Sequence, residues 1–185
     1  MSNDAWRAPG ANADGFVDYE SLQSAALRLD RDAFRLAYPV PALLVVYRDE
    51  ELVDDTLDPT DSAVQLLTVS ISSQGILRYL NRVAFVAKRP GNMFAHLVSV
   101  GRSATNDIVI GIETVSKVHG YFVREGSGLS FSDHSSTNGS RLNGDALEPA
   151  KPARLTDGDM LQLGLEVHLQ FLEPDSLYDQ LTGRR

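Results

Sequence analysis

The sequence predicts a mainly β protein that folds as a β-sandwich. The strand-like segments are short, and turn residues separate them at intervals of about 8–12 residues, which is typical of an antiparallel sandwich. Hydrophobic residues make up 43% of the 185 residues, enough to build a folded core. The length suits one domain with a substantial extension. One segment near the N-terminus departs from the β pattern and has helical spacing.

The N-terminal region predicts a tail followed by a helix. Residues 1–17 are small and polar, so a flexible tail is expected. Between residues 18 and 38, apolar side chains recur at three- and four-residue steps, which predicts one helix that Asp18 caps and Pro39 ends. The apolar face of this helix comprises Leu22, Ala26, Leu29, Ala33 and Leu36.

Strand patterns then continue to the C-terminal end. Before residue 88 the predicted strands are 42–47, 64–72, 76–80 and 83–87, although 76–87 also fits a helix. Later strands are expected at 93–100, 108–110, 119–124, 129–132, 160–163 and 167–172. Two Asn-Gly pairs, at Asn138-Gly139 and Asn143-Gly144, predict hairpin turns. We therefore divide the chain into a tail (1–17), an extension (18–81), a β domain (82–174) and a C-terminal tail (175–185).

The negative charge is concentrated in one segment. Residues 49–61 hold seven carboxylates and no base, and the rest of the chain carries only −1 of the formal −8. From Arg82 to Arg154 there are nine Lys and Arg against six Asp and Glu. The total argues against binding to nucleic acid or to an anionic membrane, because both need a positive surface. The acidic segment also carries Thr56 and Thr60.

Composition and motifs argue against several other classes of protein. The chain has no cysteine, no apolar run long enough to span a membrane and no signal-peptide pattern, so a cytoplasmic protein is expected. Ser116, His119 and Asp133 are the residue types of a hydrolytic triad, but no nucleophile motif surrounds them. The four histidines are scattered, and no phosphate-loop or dinucleotide motif is present. We expect a protein that is not an enzyme and has no metal or cofactor.

Three small polar clusters in predicted loops form a set with a common chemistry. They are Gly101-Arg102-Ser103, Ser116-Lys117-Val118-His119 and Ser136-Thr137-Asn138-Gly139. Together they supply a guanidinium, an ammonium, two hydroxyls and an amide, which suit a phosphate dianion. Each cluster taken singly also fits an ordinary turn.

The order of these clusters resembles the forkhead-associated (FHA) family. Five motifs follow one another between residues 101 and 164: Gly-Arg, Ser-x-x-His, Ser-x-Asn-Gly, Asn-Gly and Leu-x-Asp-Gly-Asp-x-x-x-x-Gly. The resemblance covers about residues 82–173 and implies an eleven-stranded β-sandwich whose apical loops bind phosphothreonine peptides. Gly120 departs from the alanine common in the family, and we expect it to loosen its strand slightly.

The resemblance also implies roles for individual residues. Arg102, Ser116, Lys117 and Thr137 would contact the phosphate, and Asn138 would hold the peptide backbone. Thr114 lies in the loop that selects flanking side chains, and its small uncharged side chain argues against strong selection for acidic residues. The expected structural residues of the site are Gly101, His119 and Gly139.

Two hypotheses of function follow from the resemblance. The first is a non-catalytic phosphothreonine-binding adaptor or regulator in Ser/Thr kinase signalling, whose partner is a kinase or its substrate. The second is a phosphate-independent scaffold that uses the sandwich and the extension for assembly. Thr56 and Thr60 add a possible switch, in which the phosphorylated acidic segment occupies the chain's own site at a high effective concentration. The alternative is that residues 49–61 form a solvated loop.

Overall fold

Two β-sheets form the predicted sandwich in the computed structural model, which describes residues 6–46, 73–89, 92, 97–126 and 128–184. The elements, in chain order, are β1 (Phe16–Asp18), α1 (Tyr19–Arg28), α2 (Arg31–Ala37), β2 (Ala42–Val46), α3 (Ser73–Leu77), β3 (Arg82–Phe85), β4 (Leu97–Gly101), β5 (Ile108–Val109), β6 (Gly120–Glu125), β7 (Gly128–Asp133), β8 (Ser140–Leu142), β9 (Asp145–Ala146), β10 (Ala153–Leu155), β11 (Met160–Leu163), β12 (Val167–Leu172) and α4 (Pro174–Thr182). The seven-stranded sheet has the order β1-β3-β2-β12-β11-β8-β9, and the five-stranded sheet has the order β10-β7-β6-β4-β5. Only the pair β4–β5 is parallel among the described strand pairs.

Both faces of the seven-stranded sheet are buried. Leu43 and Val45 of β2 belong to the core between the two sheets, together with Phe122 and Phe131 of the five-stranded sheet. Alternate residues of β2 belong to a second core on the opposite face. This arrangement explains the uninterrupted apolar run at residues 42–46, because a strand covered on both faces needs no polar side.

Helices α1, α2 and α4 cover the outer face of the seven-stranded sheet. Phe34 of α2 is fully buried there, with its ring centroid 4.7 Å from that of Tyr38 and 5.4 Å from that of Tyr178 in α4. Arg31 of α2 forms an ion pair with Asp179 of α4. The helices therefore form a third layer, packed on the sandwich and on each other.

The N-terminal predictions need two corrections. The described part of the expected tail is ordered, because Phe16 is buried and β1 pairs with β3. The single predicted helix is two helices, because the Asp30 side chain accepts a hydrogen bond from the Ala33 backbone amide and caps a new helix. The expected apolar face fails in the second helix, where Phe34 is buried and Leu36 is 83% exposed. Asp18 caps α1 as predicted, accepting from the Ser21 amide.

The predicted domain limits also need correction. Strand β2 lies inside the seven-stranded sheet and pairs with β12 along its whole length, so the sandwich does not begin at residue 82. The expected C-terminal tail forms α4, in which Leu177 and Leu181 are fully buried. Pro174 in its first turn and Gly183 in the left-handed conformation at its end are ordinary helix limits.

Several local predictions have mixed outcomes. The Asn143-Gly144 turn joins the paired strands β8 and β9, and both residues have a positive φ, at 54° and 95°. The Asn138-Gly139 pair instead connects β7 to β8, which lie in different sheets, and only Gly139 has a positive φ. The strand predicted at 76–80 is wrong, because residues 73–77 are helical and residues 78–81 form a turn before β3. The strand predicted at 64–72 lies outside the described residues.

The expected loosening at Gly120 is wrong. A Cβ atom at this position would lie 2.3 Å from Cζ of Phe131 and 2.7 Å from the carbonyl oxygen of Ser132. Phe131 is fully buried between the sheets. The missing side chain of Gly120 therefore makes room for an aromatic ring, and β6 is tightly packed at this point.

The described helices are all too short or too polar to cross a lipid bilayer.

Candidate functional site

Two of the polar clusters are joined through their backbones. The loop after β4 contains Arg102, and the loop before β6 contains Ser116 and Lys117. The Arg102 amide donates to the carbonyl oxygen of Ser116 at 2.9 Å, and the Ser103 amide donates to that of Lys117 at 3.0 Å. The Arg102 Nε also donates to the carbonyl oxygen of Val115 at 3.2 Å. The guanidinium group is thus held beside Ser116.

Gly101 is necessary for this close approach. A Cβ atom here would lie 2.6 Å from the carbonyl oxygen of Lys117 and 2.9 Å from that of Ser116. Both obstacles are backbone atoms, which cannot move aside as the end of a flexible side chain can. The residue therefore permits the contact between the two loops by having no side chain.

The third cluster joins the second through a pair of hydroxyls. Ser116 Oγ donates to Thr137 Oγ1 at 3.3 Å, and the Thr137 amide donates to Ser116 Oγ at 2.9 Å. The Thr137 side chain is exposed, and Ser116 is half-buried. The two hydroxyls are therefore neighbours at the surface, as expected of two donors to one phosphate.

His119 lies fully buried under these loops. Its Nδ1 accepts a hydrogen bond from the Ser116 amide at 3.1 Å, so in the neutral ring Nε2 carries the proton and donates to the carbonyl oxygen of Gly139 at 3.2 Å. Burial lowers the pKa of His119 below its ordinary value, against the opposing effects of Asp133 and of the Gly139 carbonyl. A neutral imidazole thus connects the second loop to the third.

Asp133 anchors the third loop from below. Its carboxylate accepts hydrogen bonds from the backbone amide of Ser136 at 2.8 Å, from the Ser136 hydroxyl at 2.7 Å and from the Ser140 hydroxyl. Burial alone would raise the pKa of Asp133, but these hydrogen bonds and the nearby His119 ring outweigh it and lower the pKa. The loop therefore begins from a charged, fully bonded carboxylate.

Asn138 and Thr114 are also brought together. The side-chain amide of Asn138 donates to the carbonyl oxygen of Thr114 at 2.8 Å. The Thr114 hydroxyl donates to Glu166 Oε1 at 3.1 Å, and Glu166 lies in the turn between β11 and β12. Asn138 is exposed, which leaves its carbonyl oxygen accessible to a ligand.

Two cationic side chains of the site are accessible. Arg102 and Lys117 are both exposed, and within the described part of the chain Lys117 makes no side-chain hydrogen bond or ion pair. Only Nε of Arg102 has a described partner, so both terminal nitrogens of the guanidinium remain available. With the Ser116 and Thr137 hydroxyls, these groups can donate several charge-assisted hydrogen bonds to one phosphate.

Two buried polar residues of the site were not predicted from the sequence. Asn106 is 1% exposed and donates from Nδ2 to the carbonyl oxygens of Ser103 and Lys117, at 2.8 and 2.7 Å. Asp107 forms a buried ion pair with Lys88 at 3.1 Å and accepts from the Ser99 amide. The signal available in the sequence was the adjacent pair of polar residues directly before the apolar strand β5.

The hydrolytic triad does not form. Both imidazole nitrogens of His119 bind groups other than the Ser116 hydroxyl, which instead contacts Thr137. A serine nucleophile needs a hydrogen bond from its hydroxyl to a base. Among the described residues, no group of three or more His, Asp or Glu side chains is placed to hold a metal ion.

Thr56 and Thr60 lie outside the described residues, but two residues, one on either side of their segment in the sequence, are described. Val46, the last residue of β2, pairs with His168, two residues after Glu166. On the return, the Tyr79 hydroxyl accepts a hydrogen bond from the Gly111 amide in the second loop, at 2.8 Å. Val46 and Tyr79, which flank the acidic segment in the sequence, therefore both lie at the end of the fold that carries the polar loops.

Comparisons with known proteins give one family and a set of similar structures. Residues 98–164 match the model of the FHA domain. The chain is similar to EmbR of Mycobacterium tuberculosis, solved with a low-affinity phosphopeptide (19% identity, 72% of this chain, 24% of that chain, TM-score 0.47). It is also similar to the FHA domain of an Arabidopsis thaliana hypothetical protein (21% identity, 72% of this chain, 85% of that chain, TM-score 0.48). No curated protein matches the chain. The chain thus spans about a quarter of the length of EmbR.

Proposed function

We propose that this chain, whose residues 98–164 form an FHA domain, binds phosphothreonine peptides as a non-catalytic adaptor or regulator in Ser/Thr kinase signalling. The partner is a phosphorylated kinase or a substrate of such a kinase. The observation that carries the proposal is the convergence of Arg102, Ser116 and Thr137 at one surface, where the terminal nitrogens of Arg102 have no described partner and the two hydroxyls are hydrogen-bonded only to Thr137 and Ser116 themselves.

Each residue of the site has a distinct role in binding. Arg102 and Lys117 supply positive charge, and the guanidinium of Arg102 can bind two phosphate oxygens at once. The Ser116 and Thr137 hydroxyls donate to the phosphate, and Asn138 holds the peptide backbone beside it. Below them, His119 and Asp133 hold the loops that carry these donors.

The free energies involved are large enough to discriminate the phosphorylated from the plain residue. A hydrogen bond to a charged group contributes about 1.5–3 kcal/mol, so two or three such bonds separate the two forms by several orders of magnitude. The overall charge of −8 does not oppose this, because screening acts over about 8 Å at physiological salt.

Titration with matched peptides tests the proposal. A phosphothreonine peptide should bind, and the same peptide with plain threonine should not. Arg102→Ala and Ser116→Ala should each abolish binding, whereas Arg141→Ala should not, because Arg141 of β8 donates to the Gly144 carbonyl in the β8–β9 turn. Equal affinity for both peptides would refute the proposal. Partner binding that survives Arg102→Ala would instead favour the phosphate-independent scaffold.

A second candidate function is regulation in cis by Thr56 or Thr60. The observation that favours it concerns two residues that flank the acidic segment in the sequence: Val46 pairs with His168 near the β11–β12 turn, and Tyr79 is hydrogen-bonded to Gly111 of the second loop. A phosphothreonine on a short tether has an effective concentration of about a millimolar, which is enough to compete with an external peptide. Phosphorylated chain should therefore bind a reference phosphopeptide more weakly, and Thr56→Ala/Thr60→Ala chain should not respond. An unchanged affinity after phosphorylation would rule this function out.

A further inference from the structure

The turn between β11 and β12 is attached to the candidate phosphate site. Gly164 at its start donates from its amide to the carbonyl oxygen of Gly139 at 3.0 Å. A Cβ atom at Gly164 would lie 2.5 Å from the carbonyl oxygen of Thr114, so the turn packs directly on the second loop. The motifs that carry the resemblance to the family end at Gly164 and name no later residue of this turn.

Glu166 places a negative charge next to Thr114. Its Oε1 accepts the Thr114 hydroxyl at 3.1 Å, and no described hydrogen bond or ion pair uses its Oε2. Thr114 is two residues from Ser116, a span of about 7 Å at most along the chain. The exposed Glu113 adds a second carboxylate directly before Thr114.

Leu165 places an apolar side chain beside this charge. It is 64% exposed, so its apolar surface is accessible to a ligand. The backbone of the turn is fixed, because Gln162 Nε2 donates to the Leu165 carbonyl oxygen at 3.0 Å. An exposed leucine next to a carboxylate matches the shape of a Lys or Arg side chain, which has an aliphatic stem and a cationic end.

Resting on the proposed function, we infer that Glu166 and Leu165 are specificity determinants that select a phosphothreonine peptide with a Lys or Arg near the phosphothreonine. The phosphate contacts Arg102 and Ser116 on one side, while the basic side chain lies over Leu165 and reaches Glu166 on the other. Opposite charges at the two ends of the site then fix the orientation of the peptide. An acidic residue in place of the Lys or Arg would meet Glu166 and Glu113, and like charges repel.

The same charges bear on regulation in cis. The acidic surroundings of Thr56 and Thr60 are the flanking residues that Glu166 and Glu113 disfavour. A phosphorylated acidic segment would therefore bind with low intrinsic affinity and depend on its tether. A basic external peptide could displace it.

A phosphopeptide scan tests the inference. Peptides with one phosphothreonine carry Lys, Ala or Glu at each flanking position in turn, and their affinities for the full chain are measured. At one flanking position, or at two adjacent ones, the Lys peptide should bind more tightly than the Glu peptide. The difference should be about 2- to 5-fold for each carboxylate of the protein that contributes. Glu166→Gln keeps an acceptor for the Thr114 hydroxyl and should reduce this preference. Leu165→Ser should weaken binding of the Lys peptide more than of the Ala peptide.

Asp145→Asn is the matched control. Asp145 is an exposed carboxylate in β9 and pairs with Leu142, at the end of β8 away from Gly139. This variant should keep the full Lys preference. The inference is overturned if phosphate-dependent binding shows no Lys preference, or if that preference survives Glu166→Gln. Either result leaves the proposed function unchanged. Binding that ignores the phosphate overturns the proposed function itself.

Discussion

The backbone amide of Ser116 donates to Nδ1 of His119 across 3.1 Å, so an imidazole acceptor holds the residue that is expected to bind phosphate. A protonated ring has no lone pair for this bond. The Ser116 loop and the protonation of His119 are therefore coupled. Because burial already lowers the pKa of His119, the neutral ring is the stable form in the folded chain.

The first prediction concerns the pH dependence of folding stability. In the unfolded chain His119 takes up a proton near pH 6.5, whereas in the folded chain it does so only at lower pH. The unfolded state thus binds more protons as the pH falls below about 6.5, and stability is lost from there down to the folded pKa, by at most about 1.4 kcal/mol per pH unit. Above this window the His119 contribution is complete.

Chemical denaturation between about pH 7 and 5 measures this slope. His119→Gln should lower the stability at pH 7 and remove part of the slope. Asp133 acts in a separate window: its pKa is lowered in the folded chain, so its contribution is lost only as the pH falls below about 4. A His119→Gln slope equal to that of the wild type would contradict the coupling.

The second prediction separates the two cations of the site. Arg102→Lys keeps the charge but loses both the bidentate geometry and the Nε bond to the Val115 carbonyl, so phosphopeptide affinity should fall about tenfold or more. Lys117→Ala should cost less and should make binding less sensitive to salt, because Lys117 acts as an exposed point charge. Titrations at low and high salt give both quantities. A larger loss for Lys117→Ala than for Arg102→Lys would reverse this assignment.

The third prediction concerns Asn106 of the first loop, whose side chain donates one hydrogen bond within that loop, to the Ser103 carbonyl, and one to the Lys117 carbonyl of the second loop. Asn106→Ala removes the side-chain donor to the Ser103 and Lys117 carbonyl oxygens, which both keep a backbone donor, so it should cost about 0.5–1.5 kcal/mol of stability for each hydrogen bond lost. Because the loops that carry Arg102 and Lys117 then separate more easily, phosphopeptide affinity should fall as well. A general loss of stability alone would not change the affinity measured on folded protein, so an unchanged affinity would assign Asn106 to the fold only.

The sequence predicted the β-sandwich fold correctly, but it did not predict where the sandwich begins and ends in the chain. Strand alternation and the Asn143-Gly144 turn depend on local chemistry, and both are observed. The role of residues 42–46 depends on pairing with β12, more than 100 residues later, which no local pattern reports. The helix break at Asp30 has a local signal, a capping side chain, but the continuous spacing of apolar residues obscured it.

In the candidate site, too, features with a local sequence signal were predicted and features that depend on contacts between loops were not. Motif order predicted which residues could donate to a phosphate, and the structure brings Ser116 next to Thr137 and Asn138 next to Thr114. The supporting residues depend on which loops meet. Asn106 contributes only because the first and second loops are in contact there, and that contact exists only in three dimensions.

The fourth prediction tests the packing at Gly120. Gly120→Ala places a methyl group within 2.3 Å of the Phe131 ring and should destabilise the fold by about 1–3 kcal/mol. Gly75→Ala is the matched control: it lies in α3, where a Cβ would meet only Cγ1 of Ile112 at 3.7 Å, and it should be neutral or stabilising. Phe131→Leu should recover part of the loss in the Gly120→Ala background. Equal stability of the two alanine variants would show that β6 tolerates a side chain at residue 120.

The fifth prediction concerns the helical layer and its independence from the candidate site. Phe34 is fully buried between α2, α4 and the outer face of the seven-stranded sheet, so Phe34→Ala should cost about 3–5 kcal/mol of stability. Leu36→Ala, at a residue that is 83% exposed, should change stability by less than about 0.5 kcal/mol. Phe34 contacts none of the polar loops, and the whole sheet separates it from the sandwich core. Phosphopeptide affinity of folded Phe34→Ala protein should therefore match the wild type, and a reduced affinity would show that the helical layer is coupled to the loops through the sheet.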